Sequence, residues 1–205
     1  MNEYKSFADR VLTIMPDVIG YRLLPFSLGM SQILKASNSK FITGEYNSFL
    51  DINHIAQALI TDNSVISEFV YAVLVCSTTP DDFLKECSNG ELRQAVTDTA
   101  ERIKGVNLLT EIHTFAHYLK DGTSAPLYDI VKGDNDSDID TNPIDSEQAI
   151  MSVLMSECGY TRDECLNLPM TETLSAYLLY AHKMGSIKLV SKEVFDLKQK
   201  IKGMK

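Results

Sequence analysis

The sequence predicts an all-α fold, and three observations carry that prediction. Apolar residues recur at helical spacing in segment after segment, and most of these segments begin at a capping residue and end at a glycine or proline. The 205 residues, 44% of them hydrophobic, are enough to bury a core. We expect a helical N-terminal domain over residues 1–126, an acidic, flexible tether over 127–145 and a small helical C-terminal domain over 146–205.

Capping chemistry marks the helix starts of the N-terminal bundle. Ser27 and Asp51 each precede an apolar stripe, and Thr79-Pro80 combines a cap with a proline at the first helical position. The run Ser64–Cys76 is apolar nearly all round, so we expect it to be the most buried helix. Further helical patterns cover Tyr4–Met15, Glu91–Ile103 and Leu108–Leu119, whereas Phe41–Leu50 lacks a helical period and is a loop or a short pair of strands.

The tether differs from its flanks in composition. Residues 127–145 hold six aspartates and one lysine among glycine, serine, asparagine and proline, which favours a solvated, loosely packed segment. Asp134, Asp136 and Asp138 alternate like the first three ligands of a calcium loop. That loop also needs a glycine and a glutamate where this chain has Ile139 and Asp145, so we expect no calcium site.

The C-terminal domain shows the same start and stop chemistry. Its expected N-caps are Ser146, Thr161, Thr171 and Ser191, and its expected stops are Gly159 and Gly185. Residues 183–205 hold seven lysines and two acidic residues, and Val194, Leu197 and Ile201 share one side of the last predicted helix. Three interpretations of this helix remain open. It is a solvated terminal helix, it binds an acidic surface or a membrane, or it folds back on the acidic tether, whose charge is opposite to its own.

The overall charge bears on the class of partner. A formal net charge of −9 repels phosphate backbones, so we expect no binding to nucleic acid. The polar N-terminus is not followed by an apolar signal sequence, and the run Phe69–Cys76 is far shorter than the ~20 residues of a membrane span. We therefore expect a cytoplasmic protein without a membrane segment, with its four cysteines as free thiols.

No catalytic motif is visible in the sequence. His113 and His117 lie one helical turn apart, a spacing that zinc-binding helices use, but Thr114 stands where the zinc-protease pattern needs glutamate. Cys76 falls in the most apolar predicted helix, where a thiol behaves as a small hydrophobic group. Because no nucleophile elbow, Walker loop or dinucleotide fingerprint is present either, we expect a binding protein with no metal or cofactor rather than an enzyme.

Two segments resemble a known family. The stretch YRLLPFSLGMSQILKASNSKFITG (Tyr21–Gly44) places Leu-Pro-Phe-x-Leu-Gly before a helix, and GYTRDECLNLPMTETLSAYLLYAHKMG (Gly159–Gly185) combines a helix, a proline turn and a longer helix. Both resemble tail assembly chaperone-like proteins of long-tailed bacteriophages. The resemblance covers about half of the chain, and its motifs consist mainly of helix-forming and helix-capping patterns. The long loop Phe41–Leu50 departs from the family pattern.

The resemblance implies a function and a layout. Proteins of this family have a helical N-terminal domain, a tether and a small C-terminal domain; they coat the tape measure protein and help to recruit tail tube subunits, without catalytic residues. Our leading hypothesis is therefore a non-catalytic chaperone that binds tape measure and tail tube proteins. The alternatives are a phage or bacterial regulatory interaction protein, such as a host-factor inhibitor, and an enzyme that uses His113, His117 and an acid that the sequence does not reveal.

One short segment is the predicted partner-binding patch. In Leu24-Pro25-Phe26, the proline cannot donate a backbone hydrogen bond, and Phe26 stands beside a predicted helix start, where it could project from the domain. Alternatively, Phe26 is an apolar staple that packs onto its own helix. The apolar run Ser64–Cys76 also suits a protein that packs against copies of itself.

Overall fold

The structure, a computed structural model, describes residues 15–43, 46–62, 64–130 and 146–203. It is mostly helical, with ten α-helices and two small two-stranded sheets among the described residues, and this confirms the all-α prediction. The predicted helix Tyr4–Met15 and most of the acidic tether lie outside the described residues, apart from Met15 and the first residues of the tether.

By their internal contacts, the described residues divide into two compact units. The N-terminal unit comprises residues 15–123 together with the short segment Leu166–Met170. The C-terminal unit comprises residues 124–130, 146–165 and 171–203. The domain limits predicted from the sequence are not tested by this division into units, and they stay a prediction.

The N-terminal unit contains six α-helices. They are α1 (Leu28–Ala36), α2 (Ile52–Thr61), α3 (Ser64–Ser77), α4 (Pro80–Ser88), α5 (Leu92–Arg102) and α6 (Leu108–Gly122), with short 3-10 helices at Tyr46–Leu50 and Ile103–Gly105. The predicted caps are confirmed: the side chains of Ser27, Asp51 and Thr79 accept backbone N–H hydrogen bonds at 3.3, 2.9 and 3.3 Å.

Helix α3 lies at the centre of this unit, as the sequence predicts. It contacts α1, α2, α4 and α5. Seven of its residues are buried, namely Val65, Phe69, Val70, Ala72, Val73, Val75 and Cys76. Because α3 is apolar over most of its surface, a position enclosed by other helices keeps most of its side chains from water.

An aromatic cluster fills the core beside α3. Phe41 stacks on Phe49 with ring centroids 4.7 Å apart and meets Phe115 of α6 edge-on at 5.4 Å. Phe115 in turn contacts Phe69 at 5.8 Å and Tyr118 at 5.7 Å. In its described residues the segment Phe41–Leu50 consists of turns and the 3-10 helix Tyr46–Leu50, so it is a loop rather than a strand pair. Two of its aromatic side chains, Phe41 and Phe49, complete the core.

A tight hairpin precedes α1 and was not predicted. Its strands are β1 (Asp17–Val18) and β2 (Tyr21–Arg22), joined by Ile19 and Gly20 at φ 46° and 82°. Positive φ at both turn residues suits the twist of a two-residue hairpin, but a β-branched side chain rarely adopts it. The carboxylate of Glu111 on α6 accepts the Ile19 N–H at 2.7 Å, which fixes the turn against the unit.

The C-terminal unit has a much smaller core. Its elements are α7 (Ser146–Glu157), α8 (Arg162–Asn167), α9 (Met170–Lys183), α10 (Lys192–Gly203), β3 (Tyr128–Ile130) and β4 (Ile187–Leu189), although the end of α8 and the first residue of α9 belong to the N-terminal unit by contact. Ile150, Leu154 and Cys165 form its buried cluster. Thr161 caps α8 as predicted, in a reciprocal capping box with Glu164.

The start of the predicted tether is a strand. Residues of β3 pair antiparallel with β4, with Asp129 opposite Lys188, and the Asp129 carboxylate forms an ion pair with Lys198 of α10. Tyr128–Ile130, near the start of the predicted tether, therefore have hydrogen-bonding partners far away in the sequence. The flexibility of the tether stays a prediction. Lys198 also supplies one contact of the kind expected if the basic C-terminal segment folds back on the tether.

Candidate functional site

The two histidines of α6 lie together, as their spacing predicts. Their ring centroids are 4.5 Å apart; His113 is half-buried and His117 is exposed. Within the described ranges, however, no group of three or more histidine, cysteine, aspartate or glutamate side chains could hold a metal ion. The histidine pair therefore lacks, in this part of the chain, the further protein ligand that a zinc site requires.

The buried cysteines are poorly suited to nucleophilic chemistry. Burial raises the pKa of the Cys76 thiol to about 12, although a hydrogen bond with Tyr118 opposes this rise. Burial is also the largest cause of the raised pKa of Cys165. Since the thiolate is the reactive form, both side chains stay protonated at neutral pH and serve as packing groups. Cys87 and Cys158 are exposed, and all four thiols are free.

A cleft of about 340 Å³ opens beside α2. Its lining residues are Lys40, Phe49, His54, Gln57, Ala58, Thr61, Asp62 and Val65. Lys40 and Asp62 form an ion pair at 3.0 Å across it. Hydrogen bonds from the Ser64 hydroxyl and from Lys40 lower the pKa of Asp62 to about 2. A carboxylate held so firmly in its charged form is a poor proton acceptor at neutral pH, so the cleft offers no general base at this position.

The predicted partner patch has a different geometry from the one expected. Phe26 is only 3% exposed, and its ring meets Tyr118 edge-on while its Cβ lies against Gly122 of α6. The Phe26 side chain therefore does not project from the domain as predicted, because α6 covers it. These contacts are made with α6, and the alternative that Phe26 also packs onto its own helix as a staple stays a prediction. Leu24 is half-buried and Pro25 is exposed.

The backbone around Phe26 instead holds a segment from the distant part of the sequence. Met170 N–H donates to the Phe26 carbonyl at 2.7 Å, and Leu28 N–H donates to the Leu168 carbonyl at 3.4 Å. Ser27 and Pro169 face each other in an antiparallel bridge between these bonds. Sequence reasoning identified the neighbourhood of Phe26 but missed this contact, because no local pattern shows which distant residues pair.

The C-terminal unit displays an apolar surface. On α10, Val194, Leu197 and Ile201 are 44%, 59% and 53% exposed, and we call these three side chains the α10 stripe. Their spacing of three and four residues places them on one face of the helix. Of the other apolar residues on α10, Phe195 is half-buried. The helix therefore packs one aromatic side chain inward and leaves its main apolar face in water.

Exposed charged side chains flank the α10 stripe; most are lysines, and Glu193 and Asp196 are exposed on the same helix. Lys198, Lys200 and Lys202 are exposed on the same helix, and Lys188 is exposed on β4. Lys198 is engaged with Asp129. An apolar stripe bordered by ammonium groups is complementary to an apolar surface with an acidic rim. Sequence analysis found these residues; their exposure could be read only from the structure.

Two further observations bear on function. Among the described residues no single helix is long and apolar enough to cross a membrane; by length and composition alone, the pair α2 and α3, bent by 118° at their junction, passes the same test. No protein-family model matches the chain, and no match to it was found among curated proteins or solved structures.

Proposed function

We propose that the protein is a non-catalytic binding module and that the α10 stripe is a principal partner-binding surface. One observation carries the proposal: three large apolar side chains on one helix face are about half exposed, side by side. Single exposed apolar residues are ordinary, but a contiguous apolar patch with a polar rim is typical of an interaction site.

The partner is expected to be an apolar helix face or groove with acidic residues around it. Full burial of one leucine or isoleucine side chain contributes about 1.5–3 kcal/mol, so three such side chains give a substantial driving force. The lysines of α10 add little to affinity in salt, but they accelerate encounter with an acidic partner and select against a basic one. Binding should therefore weaken with ionic strength, mainly through slower association.

The tail assembly resemblance gives this surface a role. Under that hypothesis the N-terminal unit binds a long helical protein, the tape measure, while the C-terminal unit binds a second component, the tail tube protein. The chain joining the two binding sites would hold one component at a raised effective concentration near the other. The host would be a bacterium and the site of action its cytoplasm, as expected for assembly before release.

Co-expression tests the proposed partners. The full chain is co-expressed with the tape measure and tail tube proteins encoded beside its gene, separately and together, and captured. We expect both proteins to be retained, and the purified chain alone to contain no stoichiometric zinc by metal analysis. Retention of neither protein would contradict the chaperone proposal and favour the regulatory alternative, and one zinc ion per chain would contradict the non-catalytic assignment.

A matched pair of variants then tests the surface. Leu197→Asp places a charge within the α10 stripe, whereas Ile60→Asp makes the same change at a single apolar residue on α2 that is 83% exposed. Both should fold normally, since substitutions at exposed sites usually change stability by less than about 0.5 kcal/mol. Only Leu197→Asp should lose capture of the tail tube protein.

A further inference from the structure

The contact at Phe26 has the hydrogen-bonding pattern of an antiparallel strand pair. The two backbone bonds flank the facing residues Ser27 and Pro169, which makes these two a non-hydrogen-bonded pair. At such a position neither residue donates to the other across the pair. A proline can therefore occupy it without the loss of a hydrogen bond, which explains how Pro169 fits here.

The floor of this site is shaped to let a backbone approach closely. A Cβ atom at Gly29 would lie 2.8 Å from the Leu166 carbonyl oxygen and 2.7 Å from Cγ of Pro80. Any side chain at position 29 would therefore collide with the bound segment on one side and with α4 on the other. On the segment, Met170 is only 5% exposed, so its apolar side chain is enclosed by protein, and we take it as the anchor of the segment.

Three features of the site thus favour an extended segment. Phe26 and Leu28 pair with the backbone on either side of the bridge, the middle position accepts proline, and the next residue buries an apolar side chain. Recognition of an extended peptide by main-chain hydrogen bonds, with a pocket for one side chain, is a common binding mode. The neighbours of the segment in sequence, Cys165 and Thr171, make their contacts in the C-terminal unit.

We propose that residues Phe26–Gly29 form a peptide-binding groove that Leu166–Met170 occupies in cis, and that the groove accepts a partner segment of the same chemistry. That segment is extended and apolar, with proline followed by methionine or a similar side chain. A competing segment must displace the chain's own residues, so the internal segment lowers the apparent affinity of the groove for a partner. The inference is independent of the α10 stripe, because it concerns a different surface and a different kind of ligand.

A peptide titration tests the proposal. The probe is a fluorescent, acetylated and amidated peptide with the sequence of residues Glu164–Thr173, and the receptors are the full chain and its Met170→Ala variant. The variant weakens the internal anchor without adding charge. We expect saturable binding to the variant at least tenfold tighter than to the wild-type chain, and unlabelled peptide should compete for it. Equal binding, or none, would overturn the proposal.

Changes in the peptide give controls that leave the receptor unaltered. N-methylation of the residue equivalent to Met170 removes the N–H that donates to Phe26, and replacement of that residue by aspartate removes the anchor. Each should weaken binding to the variant at least tenfold, and full affinity in both would overturn the groove assignment. If Met170→Ala does not fold by circular dichroism, hydrogen exchange on the wild-type chain decides instead. Excess peptide should then speed exchange at Met170, and unchanged exchange would refute displacement.

Discussion

The two units of the molecule use their apolar residues in opposite ways. In the described part of the N-terminal unit, five of the six α-helices and the loop before α2 bury large apolar side chains, and four large apolar residues are exposed: Ile52, Ile60, Leu84 and Val106. The described part of the C-terminal unit is shorter yet exposes seven, namely Tyr128, Met155, Leu179, Met184, Val194, Leu197 and Ile201. A chain that exposes apolar surface forgoes stability, so the difference is the one expected if the second unit carries the proposed α10 binding surface. We call the first unit, with its larger core, the scaffold.

The largest expected effect breaks the scaffold. Phe115→Ala removes a fully buried ring that contacts Phe41, Phe69 and Tyr118, and it should cost about 3–5 kcal/mol of unfolding free energy. Urea unfolding followed by circular dichroism measures the loss. Phe195→Ala, at a half-buried position on α10, is the matched change in the other unit and should cost less than half as much. Equal losses would remove the contrast between the units.

The second effect concerns the strained hairpin of the scaffold. Glu111→Ala deletes the carboxylate that accepts the Ile19 N–H, and the loss of this partner should cost about 1–3 kcal/mol. Glu86→Ala, at an exposed position on α4, is the control and should change stability by less than about 0.5 kcal/mol. A negligible effect of Glu111→Ala in the same urea experiment would show that the turn does not depend on α6.

Thiol chemistry sharpens the comparison further. In the folded chain at pH 8, Cys158 should react with an aromatic disulfide reagent, whereas Cys76 should react only after unfolding, since it is buried and its pKa is about 12. Mass spectrometry of the labelled peptides distinguishes the sites. Rapid labelling of Cys76 in native protein would mean that the scaffold core opens readily.

The same raised pKa makes the scaffold sensitive to alkali. The Cys76 pKa lies above its ordinary value of 9.0, so this stabilising contribution is complete below pH 9 and declines as the pH rises towards 12. The stability difference between the wild-type chain and Cys76→Ala should therefore shrink between these values. A difference that grows with pH in parallel urea titrations would contradict the assigned direction.

The smallest expected effect lies at the ion pair of the C-terminal unit. Asp129→Asn removes the charge that faces Lys198, and partly exposed pairs of this kind contribute about 0–1 kcal/mol. Thermal unfolding should therefore change little, and the change should vanish in high salt. A large loss of stability would contradict this expectation and would mean that the ion pair is needed to hold α10 against β3 within the C-terminal unit.

The sequence predicted most of the helical fold because its signals are local. A cap such as Ser27 or Thr161 lies within one turn of the N–H groups that it binds, so a short window of sequence contains the whole interaction. The β3–β4 pair and the bridge between Ser27 and Pro169 join residues far apart in sequence, and no local pattern specifies such pairing. The aromatic residues of Phe41–Leu50 were missed as core for the same reason.

The candidate surfaces show the same limit. Periodicity placed Val194, Leu197 and Ile201 on one face of a helix. The sequence pattern of an apolar face is the same whether that face is buried by another element or exposed to water. Phe26 was expected to project because it stands beside a helix start, yet α6 encloses it. Exposure depends on how distant elements pack, so the structure was needed to show that Phe26 is buried and that the α10 stripe is exposed.

The central claim is that the C-terminal unit binds its partner through the α10 stripe, and calorimetry tests it most directly. Purified tail tube protein is titrated into the full chain, its Leu197→Asp variant and its Ile60→Asp variant, each first shown to unfold at the wild-type temperature. We expect the wild-type chain and Ile60→Asp to bind alike and Leu197→Asp to bind at least tenfold more weakly. Undiminished binding by Leu197→Asp would contradict the claim.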